Sequence, residues 1–145
     1  MSNYIIFSSY YKHGETNTVV AKSFKECFCA VVESVYDFMQ NQYELWDEYE
    51  EYKIEEDMEE DANRVWNEIK DYESCFNKYK VLFKNERNAS NKEKLFEIFM
   101  ENIEVTEEQF FADVIHMNKV IYDNDWSIRT IVKIPCDSYS CWIQN

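Results

Sequence analysis

The first stretch of the chain alternates in the manner of a strand. Tyr4-Ile5-Ile6-Phe7-Ser8-Ser9-Tyr10-Tyr11 is rich in strand formers, Lys12-His13-Gly14-Glu15 supplies a turn, and Thr16 to Ala21 can return antiparallel. From Phe24 the period changes. Apolar or aromatic residues recur at Phe28, Val31, Val35, Phe38, Leu45, Tyr49 and Tyr52, in steps of three and four broken only by Gln42. That spacing predicts a long helix, opened by a capping box at Ser23-Phe-Lys-Glu26. A second seam runs through Met58, Ala62, Val65, Ile69, Tyr72, Phe76, Tyr79 and Phe83, one residue out of register with the first. A single helix over both seams would be roughly 90 Å long, too long for a compact domain of this size. The two are therefore expected to fold back on each other, with a break at Lys53 to Glu56 and Asp57 as the second cap.

Two shorter helices follow by the same signals. Ser90-Asn-Lys-Glu93 opens one through Leu95, Phe96 and Phe99, and Thr106-Glu-Glu-Gln109 opens another through Phe110, Val114 and Ile121. Alternation returns in Trp126 to Ile134, ended by Pro135, with Tyr139 to Ile143 as a further short edge strand. The predicted class is α+β: a small antiparallel sheet from both chain termini, packed on a long helical hairpin and two shorter helices. The 145 residues are expected to form a single domain, residues 1–145.

Composition narrows the functional classes. No apolar run approaches the ~18 residues of a membrane span, and the start MSNYIIFSSYY has no basic n-region or signal-peptide core. A cytoplasmic protein is the expectation. Five dispersed cysteines (Cys27, Cys29, Cys75, Cys136 and Cys141) are an odd number and read as free thiols. Cys27-x-Cys29 is too closely spaced for a zinc knuckle, which leaves Cys136-x4-Cys141 without the second pair a zinc site needs. Gly14 is the only glycine, so phosphate-cradling loops and dinucleotide-binding turns, which need several, cannot be built. Asp113-x-x-His116 resembles half of a helical carboxylate–histidine metal motif, but no second copy exists. No reaction is named by any motif, and no metal or cofactor is expected.

One segment does point outward. Between Glu44 and Asp61 lie eleven carboxylates and one lysine, a net charge of −10 out of the chain's −14. Asp57, Glu59, Glu60 and Asp61 suit the first turn of the second helix, where anions complement the macrodipole. Glu44, Asp47, Glu48, Glu50 and Glu51 fall in the last turns of the first helix, where they do not. With Glu55 and Glu56, the stretch forms six like-charged i,i+4 pairs if the helix is continuous: 44/48, 47/51, 51/55, 55/59, 56/60 and 57/61. Spread over ~27 Å of helix, ten net charges approach the linear density of duplex DNA, one per ~1.7 Å. Trp46 and Tyr49 thread the same segment as candidate interface anchors.

These features are the expected marks of a non-catalytic inhibitor that binds a basic nucleic-acid-binding protein or nuclease as a DNA mimic. In composition alone the chain resembles the small acidic anti-restriction and anti-CRISPR proteins of phages; its few alanines and arginines suit an AT-rich genome. An immunity protein neutralising a basic nuclease toxin would use the same electrostatics. A helical adaptor with a merely solvated acidic face is the third reading. Direct nucleic-acid binding and membrane association are not expected, and a homodimer that buries part of the aromatic surplus stays open.

Overall fold

A computed structural model describes residues 2–10, 14–83, 91–118 and 126–135. Strands β1 (Ser2–Tyr10) and β2 (Thr16–Ala21) form the N-terminal hairpin, and β3 (Trp126–Pro135) joins from the other end of the chain. The sheet is antiparallel with order β2-β1-β3, so the first strand is central. Gly14 holds a positive φ of 67° at the hairpin, a conformation that costs glycine nothing. Lys12 and His13 of that predicted turn lie outside the described residues, as do Tyr11 at the end of the predicted first strand and the predicted strand Tyr139 to Ile143.

Helix α1 (Phe24–Ile54) begins at the predicted cap, where Ser23 accepts a bond from the Glu26 backbone N–H; the Glu26 carboxylate accepts from the Lys22 backbone N–H, one residue before the N-cap N–H that the predicted box requires. It ends inside the predicted break. The second arm is not one helix, as the seam implies, but α2 (Glu59–Ile69) and α3 (Glu73–Phe83), joined by a 3₁₀ turn over Lys70–Tyr72. The tighter turn leaves Ile69, Cys75 and Phe76 buried, so the seam's hydrophobic face survives the interruption. Two predicted caps are corrected. Met58, not Asp57, occupies the N-cap of α2 and makes no side-chain bond. Helix α4 (Lys92–Asn102) is capped by Asn91, whose carbonyl accepts from the Lys94 N–H; Ser90 lies outside the described residues. Helix α5 (Glu107–Met117) has the predicted reciprocal box between Thr106 and Gln109, while Ile121 lies beyond the described residues.

The core runs between the sheet and all five helices. Tyr4 and Ile6 of β1 and Ile128 and Ile131 of β3 face it. Its centre is aromatic: the Phe28 ring sits 5.1–5.5 Å from those of Phe96, Phe99 and Phe110, joining α1 to α4 and α5. Much of the aromatic surplus is therefore spent inside the molecule. Buried polar groups tie the layers together. Asn118 accepts from the Ile128 N–H at 2.6 Å and donates to the Ser34 carbonyl at 3.3 Å, bridging β3 and α1. The Tyr4 hydroxyl donates to Glu107 at 2.5 Å, and Lys133 pairs with the same carboxylate, fastening the sheet to the first turn of α5.

No helix among the described residues is long and apolar enough to cross a membrane.

Candidate functional site

The acidic segment folds into a helical tip. Glu44, Asp47, Glu48, Glu50 and Glu51 are exposed on the last three turns of α1. Glu55, Glu56 and Asp57 are exposed in the connecting turn, and Glu59 and Glu60 in the first turn of α2, with Asp61 half-buried beside them. At about 100° of rotation per residue, Glu44, Asp47, Glu48 and Glu51 share an arc of about 100° on α1, opposite Trp46 and Tyr49.

That opposition explains where the aromatics go. Tyr49 stacks on Trp66 of α2 at 5.2 Å, and Trp46 lies 6.3 Å from Trp66 and 5.0 Å from Phe76 of α3. Trp46 and Tyr49 are half-buried and lock the two arms of the hairpin together. Their contacts with Trp66 and Phe76 back the acidic ridge from the opposite side of α1. The segment's one lysine, Lys53, places its ammonium 5.1 Å from the Tyr49 ring centre, a cation–π contact on the aromatic side of the helix.

The fold changes the energetics expected of the segment. Only the pairs 44/48 and 47/51 lie inside a continuous helix; 51/55 ends at the C-cap, and the other three cross the turn. The local penalty falls to two pairs at ~0.2–0.5 kcal/mol each. The charge is also not strung along a 27 Å rod. Residues 44–54 rise only about 15 Å, and the remaining carboxylates fold back at the tip, so the surface density exceeds that of a straight helix. Glu59, Glu60 and Asp61 occupy the first turn of α2, where the dipole favours them. Asp61 is further held by Arg64 at 3.3 Å.

Two features of the tip escape the sequence pattern. Ile54, the last residue of α1, is 83% exposed between Glu51 and Glu55. A cleft of about 210 Å³ also opens beside the ridge, lined by Tyr43, Trp46, Asp47, Glu50, Phe76, Asn77 and Lys80. Its aromatic floor is fixed by the Tyr43 hydroxyl, which donates to the Phe76 carbonyl at 2.6 Å. The contribution of α3 to this cleft was invisible because the second seam predicts only which α3 residues turn inward.

The other candidate groups are occupied structurally. Asp113 accepts from Tyr79 at 2.5 Å and from Lys78 at 2.9 Å. His116 sits 2.7 Å from the Asp71 carbonyl and packs on Tyr72. Burial, with Glu107 nearby, pushes the Cys27 thiol up to about 12, and burial likewise raises Cys75 to about 11. Such thiols are poor nucleophiles. Cys27, Cys29 and Cys75 are free; Cys136 and Cys141 lie outside the described residues. Among the described residues, no three metal-ligating side chains converge.

Compared with known proteins, the chain matches no family model, no curated protein and no solved structure.

Proposed function

We propose that the protein is a non-catalytic inhibitor whose acidic tip enters the basic, phosphate-binding groove of a nucleic-acid-binding protein or nuclease. The observation that carries this reading is the gathering of eleven carboxylates, against one lysine, on a single rigid helical hairpin tip. An ordinary solvated face intersperses lysines and avoids like-charged neighbours. Here the segment's one lysine, Lys53, contacts an aromatic ring on the side of α1 opposite Glu44, Glu48 and Glu51. So acidic a surface attracts basic partners from a distance and sets their orientation. Contact then needs apolar anchorage, which Ile54 supplies at the centre of the charge. The cleft beside the ridge sets Asp47 and Glu50 over an aromatic floor, with Lys80 at its wall, and its two carboxylates against one lysine favour a long basic side chain.

The test is capture from a bacterial lysate on the immobilised protein, eluted by a salt gradient, with and without duplex DNA as competitor. A DNA mimic retains a nucleic-acid-binding protein that duplex DNA displaces and that salt releases. Retention indifferent to DNA would contradict the reading. Retention of a toxin nuclease with its DNA-binding groove left open would favour the immunity-protein alternative.

A further inference from the structure

The sheet carries a second surface of opposite character. Tyr4 and Ile6 alternate into the core, so Asn3, Ile5, Phe7 and Ser9 face outward on β1. By register, Ile5 lies between Val20 and Val132, and Phe7 between Thr18 and Thr130. None of these outward rows contains a carboxylate, in a chain with 29 acidic residues. Phe7, Val20 and Val132 are 37%, 47% and 39% exposed.

The edge of this sheet is open as well. Among the described residues no strand pairs with the outer edge of β2, and Thr16 to Val20 are exposed on both faces. Unpaired edges are usually blunted by lysine, proline or a bulge. Thr-Asn-Thr-Val-Val-Ala has no charge and no proline, and the sheet's register shift falls between β1 and β3 instead. The charges sit at its two ends: Glu15 before the strand and Lys22 after it.

We infer that β2 is a homodimerisation edge, pairing antiparallel with β2 of a second copy to make a continuous six-stranded sheet. Three physical points select a second copy as the occupant. The edge main-chain groups, unpaired among the described residues, call for an extended strand. Antiparallel pairing of identical strands is self-complementary, as a two-fold interface requires. Antiparallel pairing also brings Glu15 beside the second copy's Lys22 at both ends, whereas parallel pairing would set like charges together.

The two faces require the axis to pass through a residue, and Val19 is the one that sets valine on valine while keeping Glu15 near Lys22. A two-fold axis perpendicular to the sheet keeps outward side chains with outward ones. Centred on Val19, it places Val19 opposite its own copy, Thr18 opposite Val20, and Lys22 opposite Thr16, next to Glu15. The apolar rows of the two sheets then run into one another. This interface is neutral, so the copies' mutual repulsion at −14 each is the main opposing force.

Sedimentation velocity at roughly 100 μM tests this, a concentration at which a micromolar dimer is populated. The parent sediments as a dimer, and added salt strengthens the association by screening the repulsion between copies. Val19→Lys opposes two like charges at the axis and weakens the dimer by about tenfold or more. Val81→Lys, at an exposed valine on α3, leaves the dimer unchanged. If Val19→Lys fails to fold, Val19→Cys decides instead. Strands pair at Cα separations of about 4.5–5.5 Å, within disulfide range, so mild oxidation links two copies through residue 19. A parent that stays monomeric, equal dissociation by the two lysine variants, or no cross-link at residue 19 would overturn the inference.

Discussion

Truncating Phe28 tests whether the aromatic centre holds the helices to one another. The side chain is fully buried, and its ring meets Phe99 at 5.1 Å, Phe96 at 5.3 Å and Phe110 at 5.5 Å. Phe28→Ala removes the transfer free energy of the ring and leaves a cavity among three rings that cannot all collapse into it. Phe→Ala changes at such sites cost about 3–5 kcal/mol. For a chain of this length each kcal/mol lowers the melting temperature by about 2–4 °C, so the expected shift is roughly 6–20 °C downward. Ile54→Ala is the paired control: an 83% exposed side chain should cost less than about 0.5 kcal/mol. Thermal and urea unfolding of both variants, followed by far-UV circular dichroism, decide the matter. A Phe28→Ala protein that melts within 2 °C of the Ile54→Ala protein would refute the assigned core.

Other outcomes follow from buried polar groups. The Gln42 side chain is buried and its carbonyl oxygen has no hydrogen-bond partner among the described residues, so Gln42→Leu should raise stability by about 1–2 kcal/mol in urea titrations. Asn118→Ala should lower it by about 1–3 kcal/mol, because the Ile128 N–H and the Ser34 carbonyl both lose a partner. Burial alone would raise the Glu107 carboxyl, but bonds from Lys133 and Tyr4 outweigh it and leave it below its ordinary 4.5. A depressed carboxylate contributes stability above its unfolded value and loses it as pH falls through the folded one; Glu107→Gln should therefore flatten part of the loss below about pH 4.5. Thiol titration of the native protein should leave Cys27 and Cys75 unmodified until the chain unfolds.

The sequence carried the fold where a local signal and a periodic pattern agreed. Thr106 and Gln109 form the predicted box in full; Ser23 accepts from the Glu26 N–H as predicted, but the Glu26 carboxylate reaches past Ser23 to the Lys22 backbone N–H. The Ser90 reading slipped by one position, since Asn91 can accept the same first-turn bond and competes equally. The 3₁₀ turn at Lys70–Tyr72 left no trace in the seam: Ile69, Tyr72 and Phe76 keep their three-and-four spacing while the backbone tightens. Gln42 broke the first seam in the sequence, and the structure gives the physical content of that break as a buried oxygen without a partner among the described residues.

The candidate site was legible as charge but not as shape. Composition located every carboxylate of the tip, and the heptad correctly set Tyr49 on the inward side. Pattern alone could not decide that Trp66 would take Trp46 and Tyr49 as packing partners. Neither could it foresee the cleft, because Phe76, Asn77 and Lys80 reach it only through the tertiary fold. The open, neutral edge at β2 required the strand order, which no local signal encodes.

The central claim is that the ridge on α1 carries charge for a partner and not for its own fold. Replacing Glu44 and Glu48 and Glu51 by glutamine, and Asp47 by asparagine, removes four exposed carboxylates and both intrahelical like-charged pairs. Stability should stay level or rise by about 0.4–1 kcal/mol. Binding to the captured partner, measured by calorimetry at low and physiological salt, should weaken and depend less steeply on salt, because fewer ionic contacts remain to be screened. A quadruple variant that gains stability yet binds as tightly as the parent at both salt concentrations would contradict the claim and leave the tip a solvated surface.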